Sequence, residues 1–361
     1  MKKNYTIIKQ IISFERFICH RFLHRIFSFF LFFFFQFSTK NLCAQDLHFS
    51  QFFNSPLSTN PANTGFIPDA DYRLGAHFRN QFSNVMSAPY KTISIFGDAQ
   101  VMRNYLENGW LGIGGLLLSD VAGAGSLKST KLYGSIAYHQ MLGNSSLLSA
   151  GFNLGWVSKR IDPSGLKYPD QFDGKFFDHA LPTSVVLANT EVNYFDLQAG
   201  LNYAYFPTEN IYINGGYSIH HINKAKESFF QDQTDDGLVA MRHIAFLNAI
   251  LKAGDRIIIQ PNIFYTNQSN ASALNGGFLI NYNLSEFGEK ELIAGLYYRS
   301  NDAFIPTLGF QLKQLRFTFS YDVTSSTLRD YNNGMGASEY NIIKKGFYTS
   351  SPDRQSICPR F

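Results

Sequence analysis

Beyond residue 70, apolar and polar residues alternate with a period of two along most of the chain, the spacing of a strand with two unlike faces. In 315–324, Leu315, Phe317, Phe319, Tyr321 and Val323 share one face, while Arg316, Thr318, Ser320, Asp322 and Thr324 share the other. Segment 72–81 sets Tyr72, Leu74, Ala76 and Phe78 against Arg73, Gly75, His77, Arg79 and Gln81. Segments 194–205 and 273–284 repeat the pattern, and further strands read at 90–101, 109–119, 130–142, 146–158, 209–221, 238–251, 255–266, 291–300, 303–313 and 337–345. Alternation alone fits a β-sandwich as well as a barrel. The segments run to ten residues or more, about what a tilted strand needs to cross a bilayer and longer than the mean soluble strand of about 5–6. Aromatic residues also gather toward segment ends (Tyr72, Phe82, Tyr90, Tyr203, Tyr205, Tyr297, Tyr298), where a barrel carries its interfacial girdles. The expected fold is all-β: a transmembrane antiparallel barrel of about 14 strands, an even number as such single-chain barrels use. Connections alternate in length. Leu142–Ser145 and Phe206–Glu209 are short and are expected to face the periplasm, whereas Lys159–Thr190 and Asn223–Gly237 are long and are expected outside.

The first 44 residues read differently. A basic start leads into an apolar stretch, Ile26 to Phe37, followed by Ser38-Thr39-Lys40-Asn41-Leu42-Cys43-Ala44. That is the layout of a secretory signal peptide cut after Ala44; the apolar stretch is short of the ~20 residues a membrane anchor needs. The leader also explains the formal charge of +4: it holds seven of the 31 basic residues and one of the 27 acids. From Gln45 onward 24 basic residues face 26 acidic ones, so no basic stripe for nucleic acid remains. Of the three cysteines only Cys358 lies beyond the leader, so the exported chain has no internal disulfide. Residues 45–68 form a separate amino-terminal segment and 69–361 the barrel. The turn-prone Asn60-Pro61-Ala62 lies among Phe49, Phe52, Phe53 and Phe66. The segment is therefore expected to pack irregularly at or inside the periplasmic mouth, or else to lead simply into the first strand. No separate plug domain is evident.

Candidate chemistry is sparse. His220 and His221 are adjacent, which on a strand sends them to opposite faces, and the histidines from His48 to His243 show neither H-x-H nor H-E-x-x-H spacing. Asp232, Asp235 and Asp236 lack the ligand order of a calcium loop. Gly112-Ile113-Gly114-Gly115 has no following helix or Lys-Ser/Thr, so close packing or wall curvature is the expected role rather than a phosphate cradle. No G-x-S-x-G is present. Arg73, Arg79, Arg242, Arg256, Arg299 and Arg316 are expected to face the lumen, pairing with acids such as Asp98, Asp196 and Asp322 or setting ion preference. No enzyme activity, cofactor or metal is expected.

The chain's motifs are more specific than its chemistry. Gln45-Asp46-Leu47-His48-Phe49-Ser50-Gln51-Phe52, Asn54-Ser55-Pro56-Leu57, Asn60-Pro61-Ala62 and Gly65 closely resemble the start of the PorP/SprF family of type IX secretion system outer-membrane proteins. The likeness continues through Arg73, Phe78-Arg79-Asn80-Gln81-Phe82, Gly112-Ile113-Gly114, Asp120-Val121-Ala122-Gly123 and Ser149-Ala150-Gly151-Phe152. It runs on through Ser320-Tyr321-Asp322-Val323-Thr324, Gly336-Ala337-Ser338-Glu339-Tyr340 and Cys358-Pro359-Arg360-Phe361. Phe82 and Ser338 depart from it, where the family favours tryptophan and histidine. The resemblance implies a non-enzymatic barrel in the outer membrane of Bacteroidota, contacting lipid and type IX components. It would support export or surface anchoring of partners such as large gliding adhesins, as a core part or as the dedicated companion of one partner. The motif positions Phe49, Ser50, Gln51, Asn60, Pro61, Ala62, Gly65, Arg79, Asn80, Gln81, Asp120 and Asp322 become candidates for structural or partner contact. A passive pore or hydrophobic-solute channel is the alternative.

Overall fold

With one polar and one apolar face, each strand is stable in a bilayer only if its edges are closed and its apolar face turns toward lipid. The computed structural model meets both demands. It describes residues 47–348 apart from 104, 124–125, 179, 186, 230–236 and 286–288; the leader, Asp232, Asp235, Asp236 and Cys358 lie outside the described residues. The strands are β1 (Tyr72–Gln81), β2 (Tyr90–Val101), β3 (Gly109–Ala122), β4 (Leu127–Met141), β5 (Ser146–Arg160), β6 (Glu191–Thr208) and β7 (Ile211–His220). They continue as β8 (Arg242–Ala253), β9 (Ile257–Gln268), β10 (Ala271–Asn283), β11 (Lys290–Arg299), β12 (Ala303–Leu312), β13 (Leu315–Thr324) and β14 (Met335–Gly346). Each pairs antiparallel with its neighbours in sequence, and β1 pairs with β14 from Tyr72↔Gly346 to Gln81↔Ala337, which closes the barrel. Every predicted strand is present, within a few residues of its expected bounds.

Burial is inverted relative to a water-soluble protein. Leu308 is 63% and Leu132 56% exposed on the outside, while Asp196 and Glu339 on the inside are 0% exposed. The outward side chains are those that alternation assigns to the apolar face, Leu74 and Phe78 on β1 among them. Pro261 and Pro306 lie within strands; the β8–β9 ladder skips from Asn248↔Asn262 to Leu251↔Ile259, and β12–β13 from Phe304↔Val323 to Thr307↔Ser320. A proline cannot donate to a ladder, and each gap falls beside one.

The connections sort by end. Those between β2 and β3, β4 and β5, β6 and β7, and onward to β12 and β13 are short turns on the side where β1 begins and β14 stops, here the terminal end. The opposite, loop end carries 161–190 and 221–241, and the connection before β14 with its one-turn helix Arg329–Asn332. Arg256 departs from expectation: it is exposed in the turn between β8 and β9, beside Gly254 at φ +72°, because both strands stop short of it.

Candidate functional site

The amino-terminal segment runs through the lumen as a plug. Residues 47–71 enter beside the loop-end termini of β1, β11, β13 and β14 and reach the terminal end, where Asp71 N–H donates to the Gly346 carbonyl and β1 begins. Between lie three short helical turns, Phe52–Asn54, Pro56–Thr59 and Pro61–Asn63. Proline starts the second and third turns, which suits its fixed φ and missing N–H, and the Asn60 side chain caps the third by accepting from Ala62 N–H at 2.8 Å. So irregular a segment has few backbone partners of its own, and the polar barrel wall supplies the rest.

Three layers hold it. In the first, nearest the loop end, the Ser50 hydroxyl donates to Asp322 at 2.8 Å and accepts from Arg79 Nη1 at 2.6 Å and Arg299 Nη1 at 3.0 Å. Both guanidinium groups also donate to Asp322 Oδ2, at 2.9 and 2.8 Å. The Glu339 carboxylate accepts the consecutive backbone N–H groups of Ser50 and Gln51, each at 2.9 Å, and Arg79 Nη1 at 3.0 Å. Gln51 Nε2 donates to Ser320 Oγ at 3.0 Å, and Arg242 Nη1 to the Leu47 carbonyl at 2.9 Å. Phe49 meets His77 edge-on at 4.7 Å, Phe52 stacks on Phe264 and Phe53 on Tyr297, both at 5.0 Å. With its proton given to Asp322 and its oxygen accepting from two arginines, the Ser50 hydroxyl has no lone pair free for attack.

In the middle layer Asn60 Nδ2 donates to the Leu201 carbonyl at 2.9 Å, and the Ser218 hydroxyl to the Thr59 carbonyl at 2.8 Å. Glycine in the wall makes the approach possible: a Cβ at Gly200 would lie 1.9 Å from Asn60 Oδ1, and one at Gly151 2.4 Å from the Pro61 carbonyl. Ala62 packs here with no exposed surface. In the last layer Gly65 N–H donates to Asp98 at 2.8 Å, Trp110 Nε1 to the Gly65 carbonyl at 3.0 Å, and His139 Nε2 lies 2.8 Å from the Thr64 carbonyl. A Cβ at Gly112 would meet the Thr64 carbonyl at 1.9 Å, so the glycine run serves close approach of two backbones.

The motif positions therefore divide. Phe49, Ser50, Gln51, Asn60, Pro61, Ala62 and Gly65 are on the plug, and Arg79 and Asp322 meet it from the wall. Gln81 lies at the end of β1, and Asp120 faces the lumen apart from the plug contacts described, accepting from Thr92 Oγ1 at 2.6 Å. Asn80 falls on the outward side of β1. Glu339 and Gly151, which lie in the strings Gly336–Tyr340 and Ser149–Phe152 of the family resemblance, also touch the plug, as do His139, Trp110, Gly200 and Gly216, which nothing local in the sequence marks for it. Arg73 pairs with Asp98, but Asp196 takes His221 Nδ1 at 2.8 Å and Tyr133 Oη at 2.7 Å instead of an arginine. His220 and His221 are both buried, with rings 6.4 Å apart, because β7 ends at His220 and His221 turns back with φ +58°. Among the described residues no three His, Cys, Asp or Glu side chains converge to hold a metal.

A family model described as "Type IX secretion system membrane protein PorP/SprF" matches residues 41–337, a span that holds the whole plug and β1 to β13. The chain belongs to the PorP/SprF family. Its barrel fold and that family's membrane role place it in the outer membrane. No curated protein matches the sequence. Among solved structures, the Pseudomonas putida toluene transporter TodX is similar at 13% identity and a TM-score of 0.48, covering 82% of this chain and 95% of its own. A Pseudomonas aeruginosa FadL homologue follows at 11% identity and 0.48 (81% and 94%), and the KdgM porin at 7% and 0.36 (76% and 98%). At such values the likeness says nothing about cargo.

Proposed function

We propose that this PorP/SprF protein is a non-enzymatic component of the type IX machinery whose plugged barrel supports export or surface anchoring of partner proteins such as large adhesins. In this reading the loop end faces outward and the terminal end faces the periplasm, following the habit of outer-membrane barrels. The family match carries the proposal. Its supporting observation is that the motif residues Ser50, Gln51, Asn60, Gly65, Arg79 and Asp322 bind the plug to the wall. A lumen crossed by a bound plug suits a docking or gating component better than a passive pore.

The test compares the extracellular and surface proteomes of a deletion strain with its parent. Loss of many exported proteins assigns a core role, and loss of one large surface protein a dedicated one. An unchanged proteome, together with channel conductance in planar bilayers, sinks the proposal in favour of the pore. A strain carrying Asn60→Ala and Pro61→Ala is expected to export less. Wild-type export at normal protein level removes the plug from the mechanism.

A further inference from the structure

A cavity of about 250 Å³ lies between the plug and the wall from β7 round to β14 and reaches Asp69 and Lys345 at the terminal end. One side is apolar, lined by Phe53, Phe246, Ile250 and Ile258. The charged side chains on the other side have hydrogen-bond partners, with one exception. Arg73 clamps Asp98 through Nε and Nη2 at 3.0 and 2.7 Å, Lys345 pairs with Asp69, and Glu291 accepts from Asn281 Nδ2 at 2.8 Å. Arg316 makes no hydrogen bond or ion pair with any described residue, and its Nε and Nη2 are withdrawn from solvent.

The Arg316 side chain is half-buried, and the Glu291 and Asp69 carboxylates act on it only from beyond hydrogen-bond reach, so its charge is partly compensated and its donors are unused. Its Nη1 is not withdrawn in this way and is the donor left to meet a ligand, by a charge-assisted bond to a carboxylate or phosphate oxygen. We propose that the cavity is a binding site for an amphiphilic oxyanion, with the anionic head on Arg316 and the apolar body against Phe53, Phe246, Ile250 and Ile258. Ligand cavities commonly measure about 300–1,000 Å³, so this one suits a head group with a short apolar stretch. The inference is separate from the secretion role, and neither depends on the other.

The test uses the full-length protein in nanodiscs with three probes of equal chain length: octanoate, octyl phosphate and uncharged octanol. At least one oxyanion is expected to bind saturably, with Arg316→Gln weakening it about tenfold or more, the scale of a charge-assisted hydrogen bond. Octanol should not distinguish the two proteins. Tighter binding of octyl phosphate assigns a lipid-like phosphate, and tighter octanoate a carboxylate. If Arg316→Gln fails to show the heat-modifiable migration of a folded barrel, Ile258→Trp fills the apolar side and should abolish binding with the arginine in place. Equal oxyanion affinity in wild type and Arg316→Gln, retained affinity in Ile258→Trp, or no saturable binding to wild type overturns the site.

Discussion

Around Ser50, two arginines and two carboxylates from four different strands meet a single hydroxyl and two backbone N–H groups. Removing one partner of such a buried group leaves a charge uncompensated, at a cost of about 3–5 kcal/mol. Asp322→Ala is therefore expected to lower the denaturant midpoint of the purified barrel clearly, whereas Asp302→Ala, at the half-exposed partner of Arg299, should cost no more than about 1 kcal/mol. Equal effects would show that the lumenal network contributes little. Sequence alternation places Arg79, Arg299 and Asp322 on the inward face. It does not show that they converge, since Arg79 and Asp322 are 243 positions apart in the chain. Glu339 lies in the family string Gly336–Tyr340, but only the fold sets it beneath the Ser50 and Gln51 N–H groups.

At the scale of elements, the wall is cut to fit the plug. Gly200→Leu is expected to leave β6 able to pair, since β-strands favour larger side chains over glycine, yet to displace Asn60, which a mere Cβ already approaches to 1.9 Å. The readout is proteolysis of the amino-terminal segment in a barrel that still migrates as folded; continued protection refutes the fit. The long loop 161–190 has its own fastening: Asp170 accepts from Ser184 N–H at 2.6 Å, and from the Ser184 and Thr183 hydroxyls. The Ser184 N–H above all, with those hydroxyls, holds the Asp170 carboxyl below its ordinary range. Because the folded value is depressed, the fastening is complete above the ordinary carboxylate pKa and lost as pH falls through the lower folded value. Loop cleavage by an acid-active protease should rise there, and Asp170→Ala should be cleaved faster than wild type by the same protease at mildly acidic pH, before the wild-type fastening is lost. A wild-type cleavage profile in that variant argues against the fastening. The two proline gaps belong to this scale too: Pro261 and Pro306 do not end their strands, because a ladder can lose one donor when the neighbouring rungs hold.

For the whole molecule, the consequence is a barrel threaded by its own chain. Wild-type protein is expected to conduct poorly in planar bilayers, and deletion of 47–68 to raise single-channel conductance several-fold, the freed lumen of so many strands being wide enough for water. Unchanged conductance in a folded deletion variant would mean that the wall collapses inward or that the plug never blocked the path. Coupled with the export assay, this separates loss of a seal from loss of a partner contact.

The sequence alone determined the strands, their number and which side chains face lipid, because period-two patterning is local and a bilayer admits no barrel with open edges. It also revealed the family, through strings such as Phe49-Ser50-Gln51 and Asn60-Pro61-Ala62. Only the tertiary structure decided that residues 47–71 cross the lumen, that Gly112, Gly151 and Gly200 are spaces for them, and that Arg316 stands without a hydrogen-bond partner beside a cavity. An irregular segment carries no periodicity to read. Its partners lie scattered around a closed wall, and closing that wall is what brings them together.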